Sequence, residues 1–299
     1  MTPNILSTPY QVFYIVIPTI SLIGNAAIVY VTVRSRLLRS PCNVLIGLIS
    51  LGELVHMFGH YVMVASHNII GNHLMRQDLC GYWQMLPLTG MFFASTLLLN
   101  TAIDRLLSTQ NFYKPLIKTQ YYLYTSVHIG IGLAVAASLE AMIFSNRTSD
   151  SYILCVITAP LLGKSRTPYF LIACSTNFLV LVCYLLLVIL LRKTRLSQKS
   201  SKQIYRSVAV ISVMTVLGYF SATAITSLDI ILHLNYDKMN LTLFAGVLVN
   251  LTCAANFFIY YLISKTYRRQ FDQHLFIGTL KKALNREQIP MIHGWASAR

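Results

Sequence analysis

Apolar and polar positions along this 299-residue chain are sorted into long blocks rather than alternating. Residues 1–33 carry no charge, and the pattern predicts a first helix over about 10–34. A second apolar run covers about 42–65, broken only by Glu53, and a third about 79–105. The fourth spans about 121–143 with Glu140 near its end, and 167–191 is an uncharged fifth. The sixth covers about 205–232 with Asp229 near its far end, and 239–264 is an uncharged seventh. A helix needs roughly 20 apolar residues to cross a ~30 Å hydrocarbon core, and each run has that length. Inside lipid every backbone polar group must be paired internally, so runs like these read as helices. The expectation is an all-α membrane protein, a bundle of seven transmembrane helices with no soluble domain beside it.

Composition agrees. At 55% hydrophobic and 11% charged residues, the chain cannot cover an ordinary soluble surface. The net charge of +15 would suit nucleic acid, but its distribution points elsewhere. Segments 34–41, 105–120, 192–206 and 265–299 hold three, three, six and seven Lys or Arg, against five in all on the opposite side. The positive-inside rule then places the N-terminus outside and the C-terminus in the cytoplasm. The basic residues are expected to meet anionic inner-leaflet lipid, and no nucleic-acid partner is expected. The N-terminus lacks a basic n-region and its apolar run is too long for a signal peptide, so it reads as a retained first helix.

The third run carries the most informative spacing. Cys80 stands at its start and Asp104-Arg105 at its end. Twenty-five residues at ~1.5 Å each separate Cys80 and Arg105 by about 37 Å, which sets one at each membrane surface. In a seven-span chain this arrangement resembles the third helix of rhodopsin-like G-protein-coupled receptors, with Leu106 where that family usually has Tyr. Other matches follow along the chain. Gly24-Asn25 resembles the family's first-helix pair, and Arg34-Ser-Arg-Leu-Leu-Arg-Ser-Pro-Cys-Asn43 its first inner loop. Glu53 stands for the second-helix Asp, Tyr184 for the fifth-helix Tyr, and Asn256-Phe-Phe-Ile-Tyr260 for Asn-Pro-x-x-Tyr. The loop Asn111-Phe-Tyr-Lys-Pro115 resembles the second inner loop, and Tyr267-Arg-Arg-Gln-Phe271 a short amphipathic eighth helix on the inner leaflet. The Leu-Arg-Ser-x-Cys-Asn segment, the Asp-Arg-Leu-Leu end and Gly218-Tyr-Phe220 together resemble the nematode serpentine chemoreceptors of class SX. The resemblance implies a receptor domain over 1–275 and a cytoplasmic tail over 276–299.

It also implies roles. In the family the third-helix cysteine forms a disulfide, and Cys155 is the partner here, since the other four cysteines lie in apolar runs or at an inner end. Asp104 would hold Arg105 at rest, and Arg105 would act with Tyr184, Asn256 and Tyr260 in activation and G-protein coupling. Asn25 and Glu53 would form an intramembrane polar network, because a mid-membrane charge rarely sits without a role. The family's sodium ion loses ligands here, since Glu53 is one methylene longer and Ala94 replaces a frequent Ser. No proline kinks the sixth run, and Tyr219 replaces the switch Trp.

His56 and His60 follow Glu53 at i+3 and i+7 on one helix face. No further acid or Cys stands at ligand spacing, so no metal and no cofactor are expected. With Pro87, Met91, Tyr219, Thr223 and Asn250 these histidines form the expected ligand pocket. Pro87 occupies the position of the amine receptors' Asp, which disfavours a biogenic amine. The alternative for these polar groups is helix-to-helix bonding. Asn146-Arg-Thr148 is a glycosylation sequon on the outer side.

The expected partners are a small-molecule ligand, a heterotrimeric G protein and membrane lipid, and the expected location is the plasma membrane. A transporter or channel would show repeated halves with broken helices, which are not seen. A retinal opsin needs a Lys in the seventh run, which has none. No catalytic constellation appears, so no enzyme is expected. The alternatives that stay open are a seven-helix transporter or channel and a receptor-like protein without G-protein signalling.

Overall fold

The computed structural model describes residues 6–193 and 238–279, with residues 218, 220–222, 224 and 225 between them. Among the described residues six helices are long and apolar enough to cross a membrane. They are α1 Thr8–Arg34, α2 Pro41–Ile69, α3 Gln77–Leu107, α4 Tyr113–Ser145, α5 Arg166–Lys193 and α6 Lys238–Ile263, the last carrying the seventh apolar run. A short helix, α7 Lys265–His274, follows. Most of the sixth run, including Tyr219 and Thr223, lies outside the described residues.

Apolar length predicted α1, α2, α3, α5 and α6 to within a few residues. α4 is a correction. It begins at Tyr113 and passes through Lys114 and Lys118, with a break at Gln120 (φ −128°, ψ 38°). Hydropathy marks where lipid begins, whereas the backbone can stay helical beyond that boundary. The expected loop at 111–115 is therefore half helix.

Local chemistry sets other ends. Pro41 opens α2, where its missing N–H costs nothing, and the Ser40 hydroxyl accepts the Asn43 N–H at 3.4 Å. Between α6 and α7 the chain turns at Ser264, whose hydroxyl accepts the Tyr267 N–H at 3.3 Å.

The all-α expectation is incomplete at one end of the bundle. There β1 Met75–Arg76 pairs antiparallel with β2 Tyr152–Ile153, Met75 opposite Ile153 and Arg76 opposite Tyr152. The hairpin stands beside a disulfide between Cys80 and Cys155, with Cα atoms 5.5 Å apart. Leu6 and Leu154 are buried with Met63, Val64 and Leu243 at this same end. The opposite end is filled by Leu38, Cys42, Tyr184, Tyr260, Tyr267 and Phe271.

α3 is the axis of the bundle, packed on α2, α4 and α5, while α1 packs on α2 and α6. α2 and α3 meet backbone to backbone. A Cβ on Gly90 would come 2.5 Å from the Gly52 carbonyl oxygen, and one on Gly52 would come 2.8 Å from that of Gly90. Only glycine at both positions permits this approach. α4 and α5 each pack on α3 but scarcely on each other. Large apolar side chains such as Phe178, Leu185 and Leu262 are exposed, which hydrocarbon tolerates because lipid tails are as apolar as leucine.

Candidate functional site

At the C-terminal end of α3, Asp104 is fully buried and Arg105 is only 8% exposed. Arg105 donates from Nε to Asp104 Oδ2 at 3.0 Å, and its Nη2 makes a second, shorter bond to the same oxygen. The other carboxylate oxygen is held from α4. Tyr113 donates its hydroxyl to Oδ1 at 2.7 Å, and Tyr124 does so at 3.0 Å. Asp104 thus receives bonds from three side chains, which is what a buried carboxylate requires. Cys42 on α2 lies within electrostatic reach of the pair. Tyr184 and Tyr260 are buried in the adjoining cluster with Leu98 and Ala102. Tyr121 extends the link, donating to the Arg39 carbonyl at 2.7 Å and tying α4 to the short segment between α1 and α2.

One layer deeper, Asn256 on α6 donates from Nδ2 to the Glu53 carboxyl on α2 at 2.6 Å. Asn25 on α1 stands beside that carboxyl and donates to Ser21 Oγ at 3.1 Å. Three helices bring their polar residues to one buried place. Tyr260 packs against Tyr267 of α7 with tilted rings whose centroids are 4.8 Å apart, which ties the end of α6 to the short helix.

Toward the other end, His56 and His60 are buried, their rings 5.7 Å apart. Tyr14 of α1 stacks on His60 at 5.1 Å and donates its hydroxyl to the Leu243 carbonyl at 2.6 Å. Among the described residues, His56 Nδ1, His60 Nε2 and Asn250 Oδ1 have no hydrogen-bond partner. Asn250 Nδ2 donates to the Gly246 carbonyl at 2.8 Å. Pro87 packs near Gly59, and Met91 belongs to the apolar cluster with Leu88, Phe92 and Leu139. The residues read as a ligand pocket are thus divided here between α2, α3 and α6, and Tyr219 and Thr223 fall outside the described residues.

Sequence reasoning missed several members. Gln84 bridges α2 and the disulfide loop, donating to the Gly59 and Cys155 carbonyls at 3.0 Å each. Tyr14, Tyr113 and Tyr124 went unremarked because no fixed spacing links them to their partners. The one available signal was Asp104 itself, since a buried acid needs more donors than a single arginine. Asn146 donates to the Met142 carbonyl at 2.8 Å at the end of α4, and Arg147 lies over the Tyr82 ring at 5.4 Å.

The family model of the serpentine type 7TM GPCR chemoreceptor Srsx matches residues 18–275. Comparison with curated proteins gives no match. The match takes in most of α1, all of the other described spans and the residues Glu53, Asp104 and Asn256, and the chain belongs to the Srsx family of serpentine seven-transmembrane G-protein-coupled chemoreceptors.

Proposed function

We propose that this multi-pass membrane protein is a plasma-membrane chemoreceptor that passes the binding of a small molecule to a heterotrimeric G protein. The N-terminus and the disulfide loop face outward, and the tail and α7 face the cytoplasm, a reading that the distribution of Lys and Arg supports. The observation that carries the reading is the Asp104–Arg105 pair, buried and held by Tyr113 and Tyr124. A charge pair kept out of water at a helix end is a candidate two-state element, since removing either partner leaves an uncompensated charge. In the resting state Asp104 holds Arg105. On activation Arg105 is released toward the G protein beside Tyr184 and Tyr260, while Asn25, Glu53 and Asn256 join α1, α2 and α6 between the two ends.

The ligand sits in the outer half among His56, His60, Pro87, Met91 and Asn250, with Tyr219 and Thr223 of the sixth run. Ring nitrogens and an amide oxygen that have no partner among the described residues favour a neutral or weakly polar molecule. Asn146 carries an N-glycan. α7 presents Lys265 and Arg269 outward, placed for anionic lipid.

The test is Arg105→Ala in cells expressing a promiscuous Gα, read by calcium or cAMP with a library of small molecules. At matched surface expression the variant should lose agonist-driven signalling. Unchanged signalling would overturn the coupling role.

A further inference from the structure

A cavity of about 50 Å³ lies between α3, α4 and α5, away from the histidines, with only Met91 common to it and the pocket proposed above. It exists because α4 and α5 both pack on α3 and scarcely on each other, leaving a cleft whose floor is α3. Asn177 of α5 lines it and is 8% exposed. Among the described residues the side chains of Asn177, Thr176 and Tyr169, all on the cavity wall, make no hydrogen bond. From the floor, Ser95 and Thr96 both donate their hydroxyls to the Phe92 carbonyl, at 3.0 and 2.9 Å, so their oxygens stay available as acceptors.

We infer that this cleft is a second ligand site, opening to the bilayer between α4 and α5, for a neutral aliphatic molecule with one hydroxyl or carbonyl head. Among the described residues the wall holds no charged side chain, which disfavours an ionic ligand. The amide of Asn177 and the phenol of Tyr169 supply donors, and Ser95 and Thr96 supply acceptors, so a single small head group satisfies groups otherwise left unpaired. The enclosed volume takes only the head. The tail runs outward past Ile172, which lines the cavity and is itself exposed on the lipid side. Such a ligand partitions into the membrane first and reaches the receptor sideways.

Photolabelling tests this without any agonist, so it stands or falls independently of G-protein coupling. Purified full-length receptor in nanodiscs is irradiated with a diazirine analogue of octanol and mapped by peptide mass spectrometry. Label should concentrate at 91–96 and 169–177, and excess hexanol should suppress it at least tenfold. Ala173→Phe, which fills the cavity, should remove that label, and Asn177→Leu should weaken hexanol competition about tenfold. If Ala173→Phe does not fold, the wild-type pattern and Asn177→Leu still decide the matter. Label spread over Leu171, Phe178 and Leu185 according to exposure, insensitive to hexanol, would mean the cavity holds only water and overturns the proposal.

Discussion

Tyr113, in the first turn of α4, donates its hydroxyl to Asp104 of α3 at 2.7 Å, on the carboxylate oxygen opposite the one that takes Arg105. Tyr124, three turns further along α4, donates to the same oxygen. Asp104 is thus anchored from a second helix. A hydrogen bond to a charged group contributes about 1.5–3 kcal/mol, and about 1.4 kcal/mol is tenfold in an equilibrium. Tyr113→Phe and Tyr124→Phe should each raise basal signalling several-fold at equal surface expression. A reporter assay without ligand reads this directly, and basal activity at the wild-type level in both variants would show that the tyrosines only hold α4 in place.

The disulfide between Cys80 and Cys155 closes a segment of 75 residues. On the chain-entropy account a loop of that length stabilises the fold by about 4 kcal/mol. Cys80→Ser or Cys155→Ser should therefore lower the thermal midpoint and cut surface expression strongly. Non-reducing peptide mapping of the wild type should recover the linked pair, and two free thiols would contradict it.

The α2–α3 crossing offers a sharper packing test. Gly90→Ala would place a methyl 2.5 Å from the Gly52 oxygen and 3.0 Å from the His56 nitrogen, both backbone atoms that cannot swing aside. Overpacking of this kind costs about 1–3 kcal/mol. Gly130→Ala on α4 meets no atom within 4 Å among the described residues and should be neutral or slightly stabilising. Thermal unfolding in detergent separates the two, and equal midpoints would mean that the helices part without cost.

Asn256 and Glu53 should behave as a coupled pair, because their bond at 2.6 Å joins α6 to α2 in a buried setting. Asn256→Leu leaves the carboxyl without that donor, at about 1–3 kcal/mol. The double variant with Glu53→Leu should cost less than the sum of the two single changes, the signature of direct contact. Additive losses in thermal stability would rule out the coupling.

How far the sequence alone reached follows from what each feature depends on. Spans α1, α2, α3, α5 and α6 were legible because crossing a hydrocarbon layer is decided by apolar length, a property of each segment by itself. The start of α4 was not, because Lys114 and Lys118 are polar yet helical. The family was legible because Cys80, Asp104 and Arg105 lie on one helix, where spacing in sequence is spacing in space. Contacts between helices were another matter. That Tyr113 and Tyr124 converge on Asp104, that Tyr14 stacks on His60, and that Gly52 meets Gly90 depends on crossing angles and rotations no single segment encodes. The cleft under Asn177 is the extreme case, since it arises only because α4 and α5 share α3 as a neighbour and leave the space between them unfilled.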